Sequence, residues 1–86
     1  MLMETMYITV SRASGVDGSA EVKLRHKPNG KAWYTLRPYS CTTSNIIDRK
    51  EDLVFEAGDF IEITVASVSD TDTDVNVVFD YELVEV

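Results

Sequence analysis

The sequence predicts an all-β chain, a small β-sandwich of about six to eight antiparallel strands, with a jelly roll as one arrangement of them. Three observations predict it. Apolar and polar residues alternate with a period of two in run after run. Glycine, proline and asparagine stand between the runs, where turns need them. No helix-length window carries a 3.6-residue period.

The runs follow in order. Met6, Ile8 and Val10 alternate with Tyr7, Thr9 and Ser11. Ser14-Gly15-Val16-Asp17-Gly18 then supplies turn chemistry. Ala20, Val22, Leu24 and His26 alternate with Glu21, Lys23, Arg25 and Lys27, the cleanest half-buried strand in the chain. Asn29-Gly30 is the strongest short hairpin signal and leads into a strand over Ala32–Arg37. Pro38 cannot donate to a ladder, so that strand ends near it or runs along an edge. Residues 40–45 read as loop. Ile46-Ile47 begins a short strand or a bend into an Asp48–Asp52 turn. Three strands fill residues 53–86, with Ala57-Gly58-Asp59 between the first two and the acidic loop Ser69–Asp74 before the last. The predicted core is Ile8, Val22, Leu24, Leu36, Phe55, Ile61, Ile63, Val77, Phe79 and Tyr81.

Eighty-six residues make a single domain, 1–86, the expectation. A chain this short buries only about 60–65% of its unfolded surface, so its core is thin and association would help it. One cysteine, Cys41, rules out an intrachain disulfide and a cysteine-rich zinc site. No apolar run approaches the roughly 20 residues of a helical membrane span, so no membrane partner is expected. Met1-Leu2-Met3-Glu4-Thr5 has no basic stretch and no long apolar stretch, so synthesis in the cytoplasm is the expectation.

The net charge is −7 and is unevenly placed. Residues 1–43 hold six bases against three acids, a net of +3, and residues 44–86 hold two bases against twelve acids, a net of −10. An acidic chain is repelled by phosphates, so no nucleic-acid partner is expected. If each half made its own surface, copies of the chain could meet through complementary charge. If strands of the two halves interleave, the patches blur.

Chemical motifs are sparse. Asp70, Asp72 and Asp74 alternate, but an EF-hand starting at Asp70 would need Gly and Glu where Val75 and Tyr81 stand. The loop therefore reads as a solvated hairpin tip, with a looser calcium site as the other reading. His26 points to the apolar side of its strand and has no local partner, so it reads as a half-buried structural histidine. Cys41 lies in a polar stretch and could act as a nucleophile only beside a base. The four glycines sit at separate turns and form no phosphate loop. No catalytic, cofactor or metal site is expected.

Trp33, Tyr34, Arg37 and Tyr39 form the best interface candidate, because such residues dominate binding hot spots. Trp33 and Tyr34 are adjacent on a strand, so one is expected in the core and the other on the surface. Val86, at the end of the last strand, offers backbone groups for pairing with a neighbour.

The order strand, Ala57-Gly58-Asp59, strand ending Ala66-Ser67, loop, strand with Tyr81-Glu82 resembles the C-terminal half of small β-sandwich proteins in tailed-phage virions. These are capsid decoration (cement) proteins and tail or neck accessory proteins. The resemblance covers residues 53–86 well and 6–37 loosely. It implies a non-enzymatic, homo-oligomeric structural protein of the virion, made in the host cytoplasm. Its implied partners are copies of itself and the major capsid protein or other virion proteins. A decoration role stands ahead of a tail or neck role. A carbohydrate- or receptor-binding sandwich, resting on Trp33, Tyr34 and Tyr39, is the alternative.

Overall fold

Residues 1–83 are described by the structure, a computed structural model. Six strands run through them: β1 (Leu2–Arg12), β2 (Ser19–Lys27), β3 (Tyr34–Thr42), β4 (Ile47–Val54), β5 (Phe60–Val68) and β6 (Thr73–Glu82). No helix occurs among the described residues. The strands form two three-stranded sheets, ordered β4-β1-β6 and β3-β2-β5, and every pairing is antiparallel. The expected all-β sandwich is the fold. β1 pairs with β6 and β2 with β5, a nested pattern like a folded ribbon. A ribbon rolled further would pair β3 with β4, but these lie on edges of different sheets. Val86 lies outside the described residues.

The period-two pattern sets the two inner faces. Met6, Ile8 and Val10 of β1 meet Ala20, Val22 and Leu24 of β2 in one core with Met3, Tyr39, Cys41 and Phe55. Met3 joins Met6 despite an odd spacing because the β1 register shifts between Met3 and Thr5. Opposite that shift, Glu51 and Asp52 face a single β1 residue, and Asp52 takes φ +49. Such a bulge re-aims side chains. Here the side chain of Glu51 is only 3% exposed.

Several expectations need correction. Of the predicted core, Ile8, Val22, Leu24 and Phe55 are buried. Leu36, Ile61, Ile63, Val77 and Phe79 are half-buried against that core, because β3, β5 and β6 are edge strands with one open flank. Tyr81 is 56% exposed on the edge strand β6, although its partner Met3 on β1 is fully buried. Of the two readings of Pro38, the edge strand is the one found: β3 runs on to Thr42 along the edge of its sheet, where the missing N–H is tolerated. Cys41 is therefore a buried strand residue, not a loop residue. Asp48–Asp52 is not a turn but lies within β4.

Among the described residues, only β2 and β3 form a hairpin, through residues 28–33, where Lys31 N donates to Pro28 O at 2.9 Å. All other connections cross between the sheets, including the acidic loop between β5 and β6, which is thus no hairpin tip. The resulting slab measures 47 × 23 × 14 Å. Its radius of gyration of 14.4 Å exceeds the about 12 Å of a compact domain of this length. A thin, elongated sandwich leaves much of its apolar surface on faces and edges.

Candidate functional site

The outer row of β2 carries Glu21, Lys23, Arg25 and Lys27, the residues opposite in phase to the buried Ala20, Val22 and Leu24. The Arg25 guanidinium lies 5.4 Å from the Trp33 ring centroid, and the Lys27 ammonium lies 5.5 Å from that of Phe60. Arg25 Nη1 also donates to Glu62 Oε1 on β5 at 3.3 Å. Trp33 and Phe60 remain 37% and 59% exposed. Trp33 precedes β3 instead of lying in it, so strand parity does not bury one of the Trp33–Tyr34 pair. Both are exposed, which corrects the expectation of one core aromatic there.

Tyr34 turns to the end of the sandwich. Its hydroxyl lies 2.9 Å from His26 Nδ1, and His26 Nε2 lies 3.0 Å from Asp59 Oδ2. A carboxylate only accepts, so Nε2 carries a hydrogen toward Asp59, and in the neutral ring Nδ1 is the acceptor for the Tyr34 hydroxyl. The His26 ring is edge-on to Phe55, with centroids 5.0 Å apart. Asp59 also accepts from the backbone N–H of Asn29 and of Glu56, at 2.9 and 3.1 Å. The Asn29 amide first, then His26, then the Glu56 amide hold the Asp59 carboxyl below its usual range. An Asp–His–hydroxyl order can activate a nucleophile. Here its carboxylate is engaged by two turn amides, so the group fastens the 28–33 hairpin to the 55–59 crossover. His26 does have partners, then. They come from Asp59, thirty-three residues away, and from across the β2–β3 hairpin.

Arg37 and Tyr39 diverge. Arg37 is partly exposed and donates from Nε to Glu51 Oε2 at 3.2 Å, joining β3 to β4 across the sheets. Tyr39 is 1% exposed, a core residue and no surface anchor. Its ring packs under Arg49, 5.5 Å from the guanidinium carbon. Burial, and then the nearby Glu51 carboxylate, push the Tyr39 phenol up to about 12. Tyr39 Oη and Glu51 Oε1 are both buried without completing a hydrogen bond among the described residues.

At the opposite end, Arg12 holds the acidic loop. Its Nε donates to Asp72 Oδ1 at 2.8 Å, its Nη2 to Asp70 Oδ2 at 3.2 Å, and its Nη1 to Asp17 O at 3.0 Å. Ser14 N donates to Asp72 Oδ2 at 3.1 Å. Ser14 and Arg12 together hold the Asp72 carboxyl below its usual range. The loop is solvated, as expected, but it is fastened by Arg12 and links the two sheets instead of capping a hairpin.

The two sheets differ in sign. β3, β2 and β5 carry Lys23, Arg25, Lys27 and Arg37 against Glu21 and Glu62, a net of +2. β4, β1 and β6 carry Arg12, Arg49 and Lys50 against seven carboxylates, a net of −4. The halves of the chain do interleave, yet the segregation survives, because the acid-rich β6 and the base-rich β2 are in different sheets. No family model, curated protein or solved structure matches this chain.

Proposed function

We propose that this chain is a non-enzymatic structural subunit of a tailed-phage virion, a capsid decoration (cement) protein ahead of a tail or neck accessory part. One observation carries the reading: the slab leaves β3, β4, β5 and β6 as open edges and keeps large apolar side chains in solvent beside them. Val54, Phe60, Val68 and Leu83 are all 45% exposed or more. Open edges and exposed apolar groups are liabilities for a free monomer and assets for a subunit that docks on a shell. The strand and turn order of residues 53–86 supports the same reading by resemblance.

In this reading the partners are copies of the chain and the major capsid protein or another virion protein. Binding stabilises the thin sandwich by mass action, since only the folded form docks. Deleting the gene tests the proposal and separates the roles. Loss of a cement subunit leaves particles that assemble but burst more readily on heating. Loss of a tail or neck part leaves stable, DNA-filled heads without functional tails. Particles indistinguishable from wild type in both respects would refute it.

A further inference from the structure

We infer that the outer face of the β3-β2-β5 sheet of one copy docks on the outer face of the β4-β1-β6 sheet of a second copy. The inference rests on the structural-subunit reading and specifies how such subunits meet each other.

The first face is basic and aromatic: Lys23, Arg25 and Lys27 stand in one row, with Glu21 at its end and Glu62 beside Arg25, a net of +1, and Trp33 and Phe60 lie under two of the cations. The second face has an apolar centre in an acidic frame. Tyr7 of β1 points outward, opposite in phase to the buried Met6 and Ile8. Its neighbours are Val78 on β6 and Asp48 on β4. One step along the same face, Thr5 sits between Asp80 and Lys50, and Ser11 faces Asp74. Tyr7 and Val78 are 37% and 49% exposed.

Charge decides the partner. Placing either face against its own copy sets an excess of like charge against itself, the cations of β2 in one case and the Asp48, Asp74 and Asp80 carboxylates in the other, which disfavours the contact. Placing one on the other brings Lys23 and Lys27 to carboxylates and the aromatic pair onto Tyr7 and Val78. Arg, Trp and Tyr at the centre of a charged rim is the composition of binding hot spots. Because the two faces differ, the contact is head-to-tail. Successive copies then close into a ring or extend as a stack.

The test uses the full chain in sedimentation velocity, at about 0.01 M salt, where the screening length is about 30 Å, and at about 1 M, where it is about 3 Å. At low salt the apparent mass should climb above the 9.7 kDa monomer with concentration and return to it at high salt. Lys23→Glu with Lys27→Glu makes both faces acidic. Asp48→Lys with Asp80→Lys makes both faces basic. Each double variant alone should associate at least about tenfold more weakly than wild type, and an equimolar mixture should regain association as a mixed complex. All four positions are solvent-facing, and a thermal melt of each variant verifies its fold. Three results would overturn the inference: a monomer under every condition, association indifferent to salt, or variants that associate as wild type does. A chain that stays monomeric yet binds particles would refute this contact and leave the virion reading standing.

Discussion

Arg12 and Asp72, sixty residues apart in sequence, meet at 2.8 Å and close one end of the sandwich. The contact joins the last residue of β1 to the residue before β6, so it fastens the crossover between the sheets where those strands start to pair. Ser14 N adds a second donor to the same carboxylate.

Asp72→Asn should therefore lower the melting temperature at pH 7, contrary to what a free acidic tip would give. The Asp72 carboxyl lies below its usual range in the fold, so its contribution is present above the unfolded value of about 3.9. It is lost as pH falls through the lower folded value. Melting curves from pH 7 to pH 2 should show the gap between wild type and variant closing on acidification. A gap that stays constant would mean the carboxylate does not act through its charge.

Tyr39→Phe should be nearly neutral or stabilising. The hydroxyl is buried beside the Glu51 carboxylate but completes no hydrogen bond among the described residues, and removing an unsatisfied group relieves its desolvation cost. The ring stays in the core under Arg49. Tyr39→Ala should cost on the order of 3–5 kcal/mol. Urea unfolding of the two variants checks the difference; a Phe variant as damaged as the Ala variant would mean the hydroxyl is bonded in solution.

Gly58→Ala should cost more than Gly15→Ala. Both glycines have positive φ, +89 and +75, where a Cβ is strained. At Gly15 the added methyl would meet nothing within 4 Å, so the cost is the backbone alone, about 1–2 kcal/mol. At Gly58 it would come within 2.9 Å of the Asn29 side chain, beside the Asn29 amide that Asp59 accepts. Equal denaturation midpoints would show that Asn29 moves aside freely.

Leu24→Ala should cost about 2–5 kcal/mol, and Phe79→Ala should fall below the about 3–5 kcal/mol of a fully buried phenylalanine. Leu24 is fully buried, whereas Phe79 packs against the core from the edge strand β6. Guanidinium unfolding of both variants orders them; a larger loss at Phe79 would mean β6 is covered in solution.

Much of this fold was legible because β2 reads cleanly. Its alternation assigned Val22 and Leu24 inward and Lys23 and Arg25 outward, as found. What escaped depends on pairing and register. Met3 enters the core only because of a register shift beside it, and no local pattern announces that. Cys41 sits among Ser40, Thr42 and Thr43, which look like a loop, yet β2 pairs with that stretch and buries it. Asp48–Asp52 looked like a turn because its charges are dense, although on an edge strand such charges deter unwanted pairing. The candidate site was legible in composition and not in position. Trp33, Tyr34 and Arg37 do reach the surface, but Tyr39 does not, and the partners of His26 and Arg12 come from crossovers that no local window contains.

On the cement proposal, the most direct measurement is heat-induced DNA release from phage particles assembled from a genome that carries this gene in deleted form, with purified chain added back. The cement reading predicts saturable binding to the heads and a rise in the release temperature toward that of wild-type particles. No binding to heads or tails, with specific binding or hydrolysis of a glycan instead, would contradict it.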